Sequence, residues 1–160
     1  MDIDRTDQRI LALLSKNARM TNKELSHEVG LAASSVHERL KRLQESGLIA
    51  GSYTDVRLDR LGLSLKALLF IQMAEHQKTE LDGFLREALK IPEVRAGRMI
   101  GGRFDAIVEV VTRDTNHLHR LVVEKFSSRA EISRIETSII FESVEQRDLT
   151  DTLELTYLRA

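Results

Sequence analysis

The chain has 160 residues, 42% hydrophobic and 31% charged, with a formal net charge of −1 and no cysteine. Such a composition holds one ordinary domain or two small ones and excludes disordered and collagen-like chains; without cysteine there are no disulfides, thiolate nucleophiles or cysteine-ligated zinc. No apolar run approaches the roughly 18 to 20 residues of a membrane span, and MDIDRTDQR places acids where a secretory leader has a basic head, so a cytoplasmic location is expected.

Up to about residue 48 the apolar residues recur with the helical period. Ile3, Ile10, Leu11 and Leu14 form one stripe, Leu25 and Val29 a second, and Val36, Leu40 and Leu43 a third. Three helices are predicted, over 2–17, 22–29 and 33–46. Thr21 and Glu24 have the capping-box spacing at the start of the second, and Gly30 ends it. The third can start through the capping-box spacing of Ser35 and Glu38, or with Ala32 or Ser34 as the cap, and Gly47 stops it. Residues 49–60 (IAGSYTDVRLDR) read as a strand-bearing connector.

Beyond residue 62 the pattern changes. Leu63 to Ala74 reads as a strand, Thr79 to Asp82 opens a helix that Ile91-Pro92 ends, and strands 94–100 and 104–112 flank the hairpin turn Gly101-Gly102-Arg103. Asp114 starts another helix, with Leu118, Leu121, Val122 and Phe126 inward, and Ile132 to Val144 is a last strand. The order βαββαβ is that of a ferredoxin-like antiparallel sheet with two helices on one face. Its other face, built of Val, Ile and Leu, would be a large apolar patch on a monomer, which dimerisation through the sheets would cover. The tail 152–158 alternates apolar residues and can add an edge strand. The fold class is therefore α+β: a winged-type helix-turn-helix domain (1–50), a strand-bearing linker (51–62) and a ferredoxin-like ligand-binding and oligomerisation domain (63–160).

The third helix carries "ASSVHERLKRL" from residue 33. With Val36, Leu40 and Leu43 inward, its other face presents Ser34, Ser35, His37, Glu38, Lys41 and Arg42. Short hydroxyls allow close approach to a DNA groove, His37 and Glu38 can address base edges, and Lys41 and Arg42 can neutralise phosphates or read guanine. A solvated helix face has the same mixture of charges. The neighbourhood favours DNA: counted from Asn22, Leu25, Ser26, Val29, Gly30, Leu31 and Val36 fall at helix-turn-helix positions 4, 5, 8, 9, 10 and 15, apolar where the helices pack, small where they cross and glycine at the turn. Position 18 is Arg39, so Leu40 is expected to take the packing role there. Residues 1–60 hold ten Lys or Arg against nine Asp or Glu, a local field only, so non-specific affinity is expected to be modest and salt-dependent.

These residues resemble the Lrp/AsnC ("feast/famine") family of transcription regulators. The resemblance lies in Asp-x-x-Asp-x-x-Ile-Leu from Asp4, the "LSHEVGL" turn, "VHERLKRLQESGLIAGSY", and "MIGGRFDAIVEV" with its Gly-x-x-Asp turn, and it spans residues 2–158. Ala33 and Ser35 stand where the family often has proline, and Gly51-Ser52-Tyr53 where it has Gly-Tyr. The resemblance implies homodimers joined through the C-terminal sheet, often assembled to octamers on double-stranded promoter DNA. It also implies amino-acid effectors bound in clefts between dimers around Gly102-Arg103-Phe104-Asp105.

An amino acid needs donors for its carboxylate and an acceptor for its ammonium. Amides at Gly101 and Gly102 with Arg98 or Arg103 can supply the first and Asp105 the second, with Met99 beside them and Thr137 and Ser138 reaching the cleft from a neighbour. A turn that merely closes a hairpin has the same residues. No enzyme motif is found: His27-Glu28 and His37-Glu38 lack the second His of HExxH, His117 and His119 point apart, and there is no phosphate loop or G-x-S-x-G. No cofactor or metal is expected. The remaining alternatives are an effector-independent architectural DNA-binding protein and a siroheme-decarboxylase-like enzyme, since those enzymes resemble the same family.

Overall fold

A computed structural model of the protein describes residues 3–74, 78–146 and 148–154. Its described residues fall into two compact units, one from 3–55 together with 144–146 and 148–154, and the other from 56–74 and 78–143.

The first unit holds helices α1 (Arg5–Lys16), α2 (Asn22–Val29) and α3 (Ala33–Glu45). α1 starts at a reciprocal capping box. The Asp7 amide donates to Asp4 Oδ1 at 2.8 Å and the Asp4 amide to Asp7 Oδ2 at 3.3 Å, so the helix begins three residues later than its apolar stripe suggests. α2 begins at the Thr21/Glu24 box, and its C-cap Gly30 has φ 69°, a left-handed turn that lets α3 start three residues later. Ala32 caps α3 without a side-chain bond, so neither Ser35 nor Ser34 is its cap. Ile10, Leu25, Val36 and Leu43 are fully buried and form the small core between these helices, while Leu40 is half-buried.

The tail departs from expectation. A short helix α6 (Thr150–Glu154) replaces the edge strand foreseen over 152–158, whose last residues lie outside the described ones. Asp148 Oδ1 accepts from the Thr150 amide at 2.9 Å and its hydroxyl at 2.6 Å, its Oδ2 meets Lys16 at 2.9 Å, and the Leu149 amide donates to Ser15 of α1 at 3.3 Å. The Thr150 bonds, with Lys16, lower the Asp148 pKa to about 2. Residues 144–146 and 148–154 thus group with the helical unit and not with the sheet.

The connector is also different from its reading. Residues 51–57 hold no strand, and a single 3-10 turn follows at Leu58–Leu61, closed by Gly62 at φ 83°. Tyr53 and Val56 are apolar and β-prone, but an isolated strand needs a partner edge, and no strand pairs with this segment among the described residues.

The second unit has β1 (Leu65–Met73), α4 (Lys78–Ala88), β2 (Val94–Met99), β3 (Ala106–Thr112), α5 (Thr115–Leu121) and β4 (Ile132–Ile140). The sheet is antiparallel in the order β2-β3-β1-β4, the ferredoxin-like arrangement. Strands alternate their side chains, so Ala67, Leu69, Ile71 and Met73 of β1 and Ala106, Val108 and Val110 of β3 face the helices. There they meet Leu81, Phe84, Ala88, Leu118, Leu121 and Phe126. Asp114 caps α5 by accepting from the His117 amide at 2.7 Å; beyond Leu121 the helix widens to a π turn over Val122–Ser127, whose five-residue step brings both Leu121 and Phe126 into the core.

The opposite sheet face is less apolar than composition suggested, because alternation sends most branched residues to the helix side. Leu68, Phe70, Ile107 and Ile140 there are half-buried and interspersed with Lys66, Gln72, Arg98, Glu109, Arg134 and Glu136. β4 ends at Ile140, four residues earlier than foreseen, and Phe141 beyond it is 96% exposed.

Candidate nucleic-acid interface and effector turn

α3 exposes Ser34, His37, Glu38, Lys41 and Arg42 and leaves Ser35 half-buried at its edge. His37 Nδ1 lies 3.3 Å from Asn22 Nδ2 at the start of α2. With the amide donating, the imidazole is held with its proton on Nε2, where it can donate to an acceptor such as guanine N7. Lys41 Nζ is 3.8 Å from Glu45, a loose i,i+4 pair between two exposed side chains that a phosphate can replace.

Arg42 is not in the same position. Its Nη2 contacts Asp7 Oδ2 of α1 at 2.5 Å, while Arg39 Nη1 bridges Asp7 Oδ1 at 2.8 Å and Asp4 Oδ2 at 2.6 Å. The Asp7 side chain is 0% exposed. Both its oxygens are therefore occupied by guanidinium groups one turn apart on α3. The Asp7 pair, then Asp4, raises the Arg39 pKa above its ordinary value, and the Asp7 amide followed by Arg39 lowers that of Asp4. Arg42, read as addressing phosphate or guanine, has Asp7 as its anionic partner in this structure. The place left polar at helix-turn-helix position 18 belongs to a buried ion pair, and half-buried Leu40 packs beside it.

The second candidate site is the turn between β2 and β3. The Ile100 amide donates to the Asp105 carbonyl at 2.9 Å and the Asp105 amide to the Ile71 carbonyl at 2.9 Å. Asp105 Oδ2 accepts from the Met73 amide at 2.8 Å. This carboxylate thus ties the turn to the end of β1. Gly102 has φ 121°, which side-chain-bearing residues rarely adopt, and a Cβ at Gly101 or Gly102 would meet nothing within 4 Å, so both backbones border open space. Arg103 reaches Glu136 of β4 at 2.9 Å and lies 5.2 Å from the centre of the Phe104 ring, which packs 5.5 Å from Phe70.

The structure gathers Gly101, Gly102, Arg103 and Asp105 in one turn, with Met99 adjoining and 41% exposed. Within one chain it does not bring Thr137 and Ser138 there. They pair with Leu69 and Leu68, two and three residues along β4 from the Ile71 register, and as neighbours they face opposite sides of the sheet. Arg98, on the open face, is 3.7 Å from Glu109. Among the described residues no group of three His, Asp or Glu is arranged to hold a metal, and His117 pairs with Glu93 at 3.0 Å.

A family model for winged helix-turn-helix DNA-binding matches residues 3–50, and one for the Lrp/AsnC ligand binding domain matches residues 66–150. The chain belongs to the Lrp/AsnC family. It is 36% identical to the HTH-type transcriptional regulator AldR of Mycolicibacterium smegmatis, over 88% of this chain and 82% of that protein. It is 33% identical to a proline dehydrogenase transcriptional activator of Rhizobium radiobacter, over 91% of this chain and 93% of that one. Among solved structures, a Neisseria meningitidis transcriptional regulator in complex with L-Met superposes with a TM-score of 0.84 at 26% identity, covering 91% of this chain and 94% of that one. This Lrp/AsnC member is therefore a transcriptional regulator joining a DNA-binding helix-turn-helix to an Lrp-type ligand-binding domain. No described helix is long and apolar enough to cross a membrane.

Sequence reading missed the Asp4–Asp7–Arg39–Arg42 cluster and the Arg103–Glu136 bridge. The first had a signal: Asp7 lies three residues before Ile10 on the inward stripe of an amphipathic helix, where an acid needs a cationic partner. The second had none, because Arg103 and Glu136 are distant in sequence and meet only when β1 separates β3 from β4.

Proposed function

We propose that this Lrp/AsnC protein is a sequence-specific regulator of promoters whose response is set by an amino acid bound at the Gly101–Asp105 turn. Support for the DNA role comes from α3, where Ser34, His37 and Lys41 share an exposed face beside a capped and glycine-turned α2. Support for the effector comes from the exposed glycines Gly101 and Gly102 with open space beside their backbone, next to the Arg103 cation, a fit for a carboxylate, together with the L-Met complex of the Neisseria relative. Met99, and Thr137 and Ser138 of a second subunit, complete the cleft in an assembly of dimers, up to octamers, joined through the open sheet face. The ligand acts by favouring one assembly over another, since binding both equally would shift neither. The protein works in the cytoplasm, without cofactor, metal or catalytic step.

The roles on α3 have separate signatures. Lys41→Ala should weaken binding to every DNA and lower the salt slope by about 0.9, one phosphate contact, for each helix-turn-helix engaged. His37→Ala should alter preference at one base position. Uniform loss across all sequences from both variants, read in a binding titration over an operator library, would remove that division of labour.

The effector reading is tested by thermal unfolding of the full chain against each common amino acid at millimolar concentration. A ligand at about 100 times its dissociation constant adds about 2.7 kcal/mol. One selective shift, lost in Gly102→Ala, supports the turn as the site. Asp105→Ala would be a poor test alone, because it also removes the bond to the Met73 amide. DNA binding without any amino-acid shift would support the architectural alternative.

A further inference from the structure

α3 carries three cations, Arg39, Lys41 and Arg42, but it does not offer all three to DNA. Arg39 and Arg42 sit one turn apart and converge on Asp7, whose carboxylate is sealed from solvent and has each oxygen on a different guanidinium. If Arg42 moved to a phosphate, Asp7 Oδ2 would keep only the Asp4 amide at 3.3 Å, a weak bond for a buried charge. Stripping a buried carboxylate of a partner is much more unfavourable than forming one exposed phosphate contact is favourable. Arg42 is nonetheless half-exposed and flanks the face that holds His37 and Lys41. It lies beside the candidate DNA face and is committed to Asp7.

We propose that Asp7 is a specificity-determining residue of this regulator, which holds Arg42 and Arg39 back from the DNA backbone and so keeps sequence-independent binding weak. The inference rests on the DNA-binding reading of α3 and adds to it a residue on another helix that touches no DNA. Each phosphate neutralised by a cation adds about 0.9 to the slope of log affinity against log salt, irrespective of sequence. A cation paired internally adds nothing to that slope. Two arginines held by Asp4 and Asp7 thus remove affinity that would be equal for every site, while the contacts of Ser34, His37 and Glu38 to base edges remain. Asp7 thereby widens the ratio between operator and bulk DNA.

A purely structural pair, holding α1 to α3, makes a different prediction. Asp7→Asn keeps the shape and removes the charge. If Asp7 withholds Arg42, the full-length variant should bind a short mixed-sequence duplex more tightly than wild type, with a slope steeper by about 0.9 for each helix-turn-helix engaged. Adding Arg42→Gln to Asp7→Asn should return the slope to the wild-type value. If Asp7 only supports the fold, Asp7→Asn should weaken binding to all DNA with an unchanged or shallower slope, and the proposal is overturned.

Should Asp7→Asn fail to fold by circular dichroism, the single variants decide. Arg42→Gln alone should leave the wild-type slope unchanged, whereas Lys41→Ala lowers it by about 0.9 for each helix-turn-helix engaged. An equal drop for both would mean that Arg42 already contacts phosphate, and would overturn the proposal. A wild-type protein that binds no duplex even at low salt would overturn both this inference and the DNA-binding reading beneath it.

Discussion

Phe126→Ala is expected to destabilise the sheet unit by about 3–5 kcal/mol, the range for a large aromatic removed from a packed core. Phe126 is fully buried, its ring centre 6.5 Å from that of Phe84 in a near edge-on contact. It is delivered by the π turn after α5, so the backbone around it is shaped to this one side chain and has little freedom to collapse into the void. A domain whose total stability is commonly about 5–15 kcal/mol would lose much of it. Chemical denaturation followed by far-ultraviolet circular dichroism should show an earlier transition for the variant. A shift under 1 kcal/mol, a threshold well below the burial range, would mean that Phe126 is not the centre of this core.

Leu25→Ala should have its largest effect on DNA binding. Leu25 is fully buried where α2 meets α1 and α3, and the core there contains only a few large side chains, chiefly Ile10, Val36 and Leu43. A loss of about 2–5 kcal/mol is expected. In so small a unit no other residues can compensate, so α3 loses its fixed position and with it the His37 and Lys41 geometry. The sheet unit has its own core, so an amino-acid-induced thermal shift should survive in the same variant. Retained DNA affinity, or joint loss of DNA binding and effector response, would contradict this separation.

Helices were legible in the sequence because each has a period and a punctuation mark. Thr21 and Glu24 with Gly30 locate α2 to the residue, and Gly47 follows α3 as foreseen. The βαββαβ order was legible too, from the shift to strand-like runs and from the Gly101-Gly102 turn. Strand ends were less so: Phe141 and Val144 have apolar side chains, but the pairing of β4 with β1 stops at Lys66–Ile140, one residue from the first residue of β1. Residues 49–60 misled for the same reason, since β-prone residues form a strand only where another edge is available. The candidate sites were half legible. Local sets such as Ser34 to Lys41 and Gly101 to Asp105 could be read directly. Pairings set by tertiary packing could not, and the bond of Arg42 to Asp7 is one of them.

The return of residues 148–154 to α1 makes the chain nested: the whole sheet unit is spliced into the helical one between residues 55 and 144. The helical unit is therefore built from two stretches that lie far apart in sequence, and it closes only when the chain has returned from the sheet. Removing the tail from Asp148 onward would take from α1 the partners of Lys16 and Ser15 while leaving every residue of the sheet core in place.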